Sequence, residues 1–244
     1  MRTDFPRLIR YKAKKSIKSL AGSWLAAILL SLFASGVLNG MLPSDPDSIT
    51  MNGVILDFLF VLIIPYFGSL FLQEYWSFQV LQDDTFTREL SFLRTLPISC
   101  QTIVNTRFIC LWMIGLGTGI TFFLGIWLFS HEVRAHTDGI SFLWFSLIWM
   151  GYSLLAGGIF PLLELGTNGK GFFWFQILLS PLFVIPIIGH FLFRNQSIVE
   201  WTLDLAQHRG AISALVSFLI GSIGLLIWRR LTLRTLEKRN ITIG

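Results

Sequence analysis

From Phe108 to Phe129 the chain runs without one charged side chain. Wound as an α-helix at about 1.5 Å per residue, that run is about 33 Å long, enough to cross the hydrocarbon layer of a bilayer. Lipid offers nothing for backbone amides to bond, so a segment of this kind is driven into a helix that satisfies itself. Comparable runs at Ala21–Leu42, Gly53–Leu72, Ser141–Leu163, Phe172–Phe193 and Ala211–Trp228 bring the expected spans to six. The fold class this predicts is an all-α polytopic membrane protein, residues 1–244 forming one transmembrane domain. Composition agrees, with 53% hydrophobic and only 14% charged residues. A soluble domain carries about a quarter charged residues.

Charge sets the expected orientation. All but three of the 19 Lys and Arg fall on one face: the segment before span 1, the loops after spans 2 and 4, and the tail. The exceptions are Arg134, Arg194 and Arg209. The positive-inside rule puts the rich face, with both termini, in the cytoplasm. An odd number of spans would separate the two basic termini, so the even count is favoured. The expected location is a bacterial plasma membrane. The net charge of +5 is read as membrane orientation, not as a nucleic-acid surface.

Residues 4–20 place Phe5, Leu8, Ile9, Ala13, Ile17 and Leu20 at helical spacing, with Arg7, Arg10, Lys14, Lys15 and Lys18 on the other faces. This predicts an amphipathic interfacial helix lying against membrane lipids, its cations toward anionic headgroups. Ala34-Ser35-Gly36 imitates a signal-peptide cleavage site, but the apolar run is too long and the basic stretch before it too extended. The connections on the far side, 43–52, 130–140 and 194–210, are short; the last could form a surface helix anchored by Trp201. Gly36-x-x-x-Gly40 and Gly115-x-x-x-Gly119 would allow close helix packing, within one subunit before a dimer seam.

Reactive chemistry is sparse. Asp57, about one turn into span 2, and His190, about one turn from the end of span 5, are ionisable groups inside spans. Such groups are costly and mark either a polar contact near the interface or part of a substrate path or outer gate. No metalloprotease, nucleophile-elbow or paired-acid motif occurs in the spans, and Cys100 and Cys110 read as free thiols. Gly169-Lys170 resembles the end of a phosphate-binding loop, but position 164 is Glu and position 171 is Gly, where Gly and Ser or Thr are required. The chain is therefore expected to be no enzyme and to hold no cofactor or metal of its own.

Residues 73–107, QEYWSFQVLQDDTFTRELSFLRTLPISCQTIVNTR, are too long and too apolar for a simple connector. Leu90, Phe92, Leu93, Leu96 and Ile98 alternate with Arg88, Glu89 and Arg94 as an amphipathic helix ending near Pro97. Proline biases Leu96 away from helical geometry, and a second helix can restart at Ser99 and run through Arg107 into span 3. The result is a helix–break–helix elbow. Its apolar side chains must be covered, either by a partner protein or by this protein's own helices at the headgroup level.

Arg88-Glu89-Leu90, Leu93, Thr95-Leu96-Pro97-Ile98 and Arg107 resemble permease subunits of the ABC transporter type-2 family. In that family a basic interfacial helix precedes six spans, and the loop after span 2 carries a coupling helix before a Thr-Leu-Pro turn. The resemblance covers the whole chain in topology and is concentrated in sequence at residues 74–107. It implies that Arg88, Glu89, Leu93, Arg94, Leu96 and Pro97 sit at or beside the groove of a separate cytoplasmic ATP-binding-cassette ATPase. Glu74 and Arg107 would support the same loop. ATP and Mg would belong to that partner, and a second permease subunit, identical or homologous, would complete the complex. Short outer loops argue against the mechanotransmission type. The aromatic-rich spans suggest an amphipathic or peptide-like substrate moving outward. A non-transporting scaffold that recruits a partner through 73–107 is the alternative; a secondary transporter would want midplane charges or duplicated halves.

Overall fold

The computed structural model describes residues 17–41, 51–68, 84–194 and 196–239. Among them every regular element is helical. We number the α-helices α1 (Ile17–Met41), α2 (Met51–Phe58), α3 (Thr85–Thr95), α4 (Cys100–Phe129), α5 (His131–His136), α6 (Gly139–Gly157), α7 (Ile159–Gly166), α8 (Gly169–Arg194) and α9 (Ile198–Lys238). Five stretches are long and apolar enough to cross a membrane: Leu20–Gly40, Cys100–Phe129, Gly139–Gly166, Gly169–Phe193 and Ile198–Lys238. They give the chain its multi-pass membrane character. The expected second span corresponds to a shorter apolar helix, Asn52–Gly68, with residues 69–72 outside the described residues. Most of the interfacial helix expected at 4–20 also lies outside them; the described chain begins at Ile17, the start of α1.

The helices begin where the side chains supply a cap. Ser99 accepts the Thr102 amide at 3.2 Å to start α4, and Asp138 accepts the Ile140 and Ser141 amides at 3.2 and 3.1 Å to start α6. Ser197 and Glu200 form a reciprocal capping box at the start of α9. The predicted span 141–163 is divided into α6 and α7 at Gly158. Pro161, which has no N–H, cannot bond the Gly157 carbonyl, and the helix resets there.

The expected second span is the least regular. After α2 the chain tightens from a π-helical turn, Leu59–Ile63, into a 3₁₀ turn, Ile64–Gly68. Pro65 cannot donate to the Val61 carbonyl, and Tyr152 Oη takes that role at 2.9 Å. Ser153 Oγ donates to Ile64 O at 3.1 Å, and Thr118 Oγ1 to Phe67 O at 2.9 Å. Irregular backbone at membrane depth survives because neighbouring hydroxyls from α4 and α6 satisfy it.

Phe60 lies at the centre of the core, fully buried. Phe122, Phe123, Phe145 and Trp149 surround it with ring centroids 5.6, 6.3, 5.8 and 5.0 Å away. These contacts are tilted or edge-on, the arrangement aromatic quadrupoles favour. Much of the aromatic content read from sequence as a hint of substrate is thus used in packing. α9 packs most extensively on α6. A Cβ on Gly221 would meet Gly151 O at 2.3 Å, so these two backbones are in direct contact. Gly115 and Gly119 face Gly68 and Met150 of this same chain, while a Cβ on Gly36 would meet nothing within 4 Å among the described residues. α8 stands at the periphery, with only 11% of its most apolar window buried.

The segment 194–210, expected as a connection that could form a surface helix, is mostly helix: Ile198 begins α9, which kinks at Arg209 (φ −138°, ψ 29°) before continuing to Lys238. Val199, Leu203 and Ala206 are buried on its inner side.

Candidate functional site

The spans alternate in direction and leave two polar ends. One gathers α3, the start of α4, the α7–α8 junction and the end of α9, and holds most of the described cations; we call it the basic end.

At the basic end the sequence builds a helix–break–helix elbow. Asp84 caps α3, accepting the Thr87 amide at 3.1 Å and the Thr87 hydroxyl at 2.6 Å. The same carboxylate accepts the Gly169 amide at 2.9 Å, so it also serves the first turn of α8. α3 runs from Thr85, earlier than the Glu89 start read from the sequence, to Thr95. Leu96 is extended (φ −83°, ψ 149°), as a residue before proline prefers, and α4 restarts after Ser99.

The inner face of α3 is apolar and filled. Leu90 and Leu93 pack with Ile103, Val104, Phe108, Leu165 and Leu236. Phe86 stacks on Phe172 with centroids 5.0 Å apart. Burying side chains of this kind contributes about 1.5–3 kcal/mol each, which holds the elbow on its own helices. Of the two covers open to the cluster, the protein itself supplies the inner one.

Charged groups complete the clamp. The Arg94 guanidinium donates to the carbonyls of Arg239, at 2.8 Å, and Leu236, the last turn of α9. Arg239 reaches back, donating to Leu165 O at 2.8 Å and Thr87 Oγ1 at 2.7 Å. Burial lowers the Arg239 pKa, with Asp84 opposing the shift and Arg94 adding to it. About two helix turns into α4, Arg107 is buried and ion-paired with buried Glu164 of α7. Arg229 Nε donates to Asn105 Oδ1 at 2.7 Å.

The structure therefore divides the residues singled out from sequence. Leu93, 3% exposed, points into the protein, Arg94 holds the end of α9, and Arg107 pairs with Glu164. Arg88 and Pro97 are exposed, Glu89 is half-buried, and Leu96 is 36% exposed. Phe92, not among the residues the resemblance singled out, is the most exposed large apolar residue of the elbow at 56%. Glu74 lies outside the described residues.

At the opposite end Asp57 is 4% exposed. Its carboxylate accepts from Ser197 Oγ at 2.6 Å and from the Ile198 and Val199 amides at 3.0 Å each. A buried anion at a helix N-terminus is stabilised by free amides and by the helix dipole. The His190 ring lies 5.4 Å from that of Trp201, also in the first turn of α9. Asp57 and His190, read from sequence as either polar contacts near the interface or part of a substrate path or outer gate, thus both meet the start of α9, with Asp57 serving as a strut between α2 and α9.

Sequence reasoning missed Asp84, Asn105, Glu164 and Arg239. Glu164 had a signal, being the only acidic residue between Asp138 and Glu200. Ser197-Ile198-Val199-Glu200 is likewise the pattern of a capping box. Among the described residues no group of three or more His, Cys, Asp or Glu is placed to hold a metal ion. No family model, no curated protein and no solved structure matches the chain.

Proposed function

We propose that the chain is the membrane-spanning permease subunit of an ATP-driven transporter, powered by a separate cytoplasmic ATPase that docks on the α3–α4 elbow. In this reading the chain crosses a bacterial plasma membrane six times with both termini in the cytoplasm. It pairs with a second permease subunit and exports an amphipathic or peptide-like substrate. ATP and Mg are handled by the ATPase.

One observation carries the reading. The elbow offers an outward apolar face, Phe92 and Leu96 beside Pro97 and Arg88, on an element whose inner face is clamped to α7, α8 and α9. A face built this way can receive a push and pass it to three helices. ATP shifts the conformational equilibrium only as far as its binding differs between the two states, so the contact must carry that difference.

The resemblance singled out Leu93, but an aspartate there would bury an unpaired carboxylate, at a cost of several kcal/mol. Loss of folding and loss of coupling would be confused. Phe92→Asp avoids this because the side chain is already exposed. The expected outcome is an intact thermal unfolding profile, loss of ATPase co-purification by tenfold or more, and no substrate export. Undiminished export with unchanged ATPase recovery in that variant would sink the proposal. A scaffold would instead retain its partner with no effect of nucleotide and no stimulated hydrolysis in lipid.

A further inference from the structure

The outer face of α9 ends in a pair of cations that have no partner among the described residues. Ile212, Leu219, Ile223 and Leu226 are all exposed, by 50% or more. At about 100° per residue they lie within about 40° of one line along the helix. Arg230 continues that line, about five turns below Ile212, and Arg234 follows one turn later. Both arginines are exposed. Their neighbours turn the other way: Arg229 bonds Asn105, Trp228 Nε1 donates to Leu155 O at 2.8 Å, and Thr232 and Leu236 are buried. Among the described residues neither Arg230 nor Arg234 has a hydrogen-bond or ion-pair partner, even with Glu237 exposed on the same side.

Length fixes the depth of this pair. The 29 residues from Gly210 to Lys238 make a helix of about 43 Å, against about 30 Å of hydrocarbon. The apolar stripe lies within the hydrocarbon, and Arg230 and Arg234, about 27 and 33 Å along the helix from Ile212, emerge at the headgroup layer. Residues one turn apart on a helix sit about 6 Å from each other, so one phosphate can be reached by both guanidiniums. The guanidinium fork matches phosphate oxygens in pairs.

We propose that Arg230 and Arg234 form a binding site for an anionic phospholipid, its phosphate held between them and its acyl chains laid along Leu226, Ile223 and Leu219. The exposed Lys238, one turn beyond Arg234, adds to the preference for a net negative headgroup over a zwitterionic one. The site is independent of any ATPase and of transport.

The test uses the full chain in mixed micelles with equimolar phosphatidylglycerol and phosphatidylcholine, the lipids retained being weighed by native mass spectrometry. The parent chain should retain phosphatidylglycerol in excess. R230Q and R234Q should each lower that excess about fivefold, and the double variant more. R134Q, which removes a cation at the opposite end, should leave it unchanged. Unfolding midpoints measured in phosphatidylcholine alone should match the parent, and the single variants keep the experiment decisive if the double substitution disturbs α9. An unchanged excess in R230Q and R234Q overturns the proposal, as does an equal loss in R134Q. Displacement of the lipid by inorganic phosphate would show a site for a soluble anion and overturns it too.

Discussion

Arg107 and Glu164 face each other with almost no contact with solvent. Breaking such a pair by removing one partner leaves a buried charge uncompensated, at about 3–5 kcal/mol. Replacing both with apolar residues is close to neutral, because the desolvation cost of two charges disappears with their attraction. We expect Arg107→Leu and Glu164→Leu each to lower the unfolding midpoint of the purified protein sharply, and the double replacement to recover most of the loss. Additive damage in the double variant would show that the two residues act separately. Arg107 was legible in the sequence as a basic residue entering a span, but its partner was not. The two are 57 positions apart, and local spacing carries no information about which helices meet.

Among the elements, the segment from Leu59 to Gly68 shows how far local rules reach. Pro65 announces a break, and the freed Val61 carbonyl follows from the missing N–H. That Tyr152 would fill the gap could not be read from α2, since it depends on α6 lying alongside. We expect Tyr152→Phe to cost about 1 kcal/mol in the parent and almost nothing when Pro65 is replaced by Ala, which restores an amide for Val61. A double-mutant cycle in denaturant measures the coupling, and equal losses in both backgrounds would refute it. The elbow is the contrasting case. Its break at Leu96–Pro97 and restart at Ser99 obey rules that act within a few residues, so both were legible. Which face of α3 looks inward was not, because Leu90, Phe92 and Leu93 differ only in what surrounds them.

For the whole molecule, the five long helices were legible from apolar run length alone, and the irregular sixth was legible as a hydrophobic run. The orientation read from charge makes a prediction at this scale. With Cys100 and Cys110 replaced, a single cysteine at Asp204 should react with a membrane-impermeant thiol reagent on intact cells. One at Glu237 should react only after the membrane is opened. Both positions are exposed on α9 and lie at opposite ends of it. The same accessibility for both would refute the topology. The clasp between Arg94, Arg239 and Thr87 also places the last turn of α9 against the elbow, and Leu236 of that turn packs under Leu90 and Leu93, so removal of the last turns of α9 would loosen the elbow.

Asp84 serves two helices that approach from different parts of the chain. Helix ends normally fray one at a time, each on its own clock. Here one carboxylate holds an amide in each of two first turns, so a single fluctuation loosens α3 and α8 together, while Asn168 Oδ1 keeps its own hold on the Gly171 amide of α8 at 2.7 Å. Whatever disturbs the elbow is felt at once at the start of α8, the least buried of the five long helices.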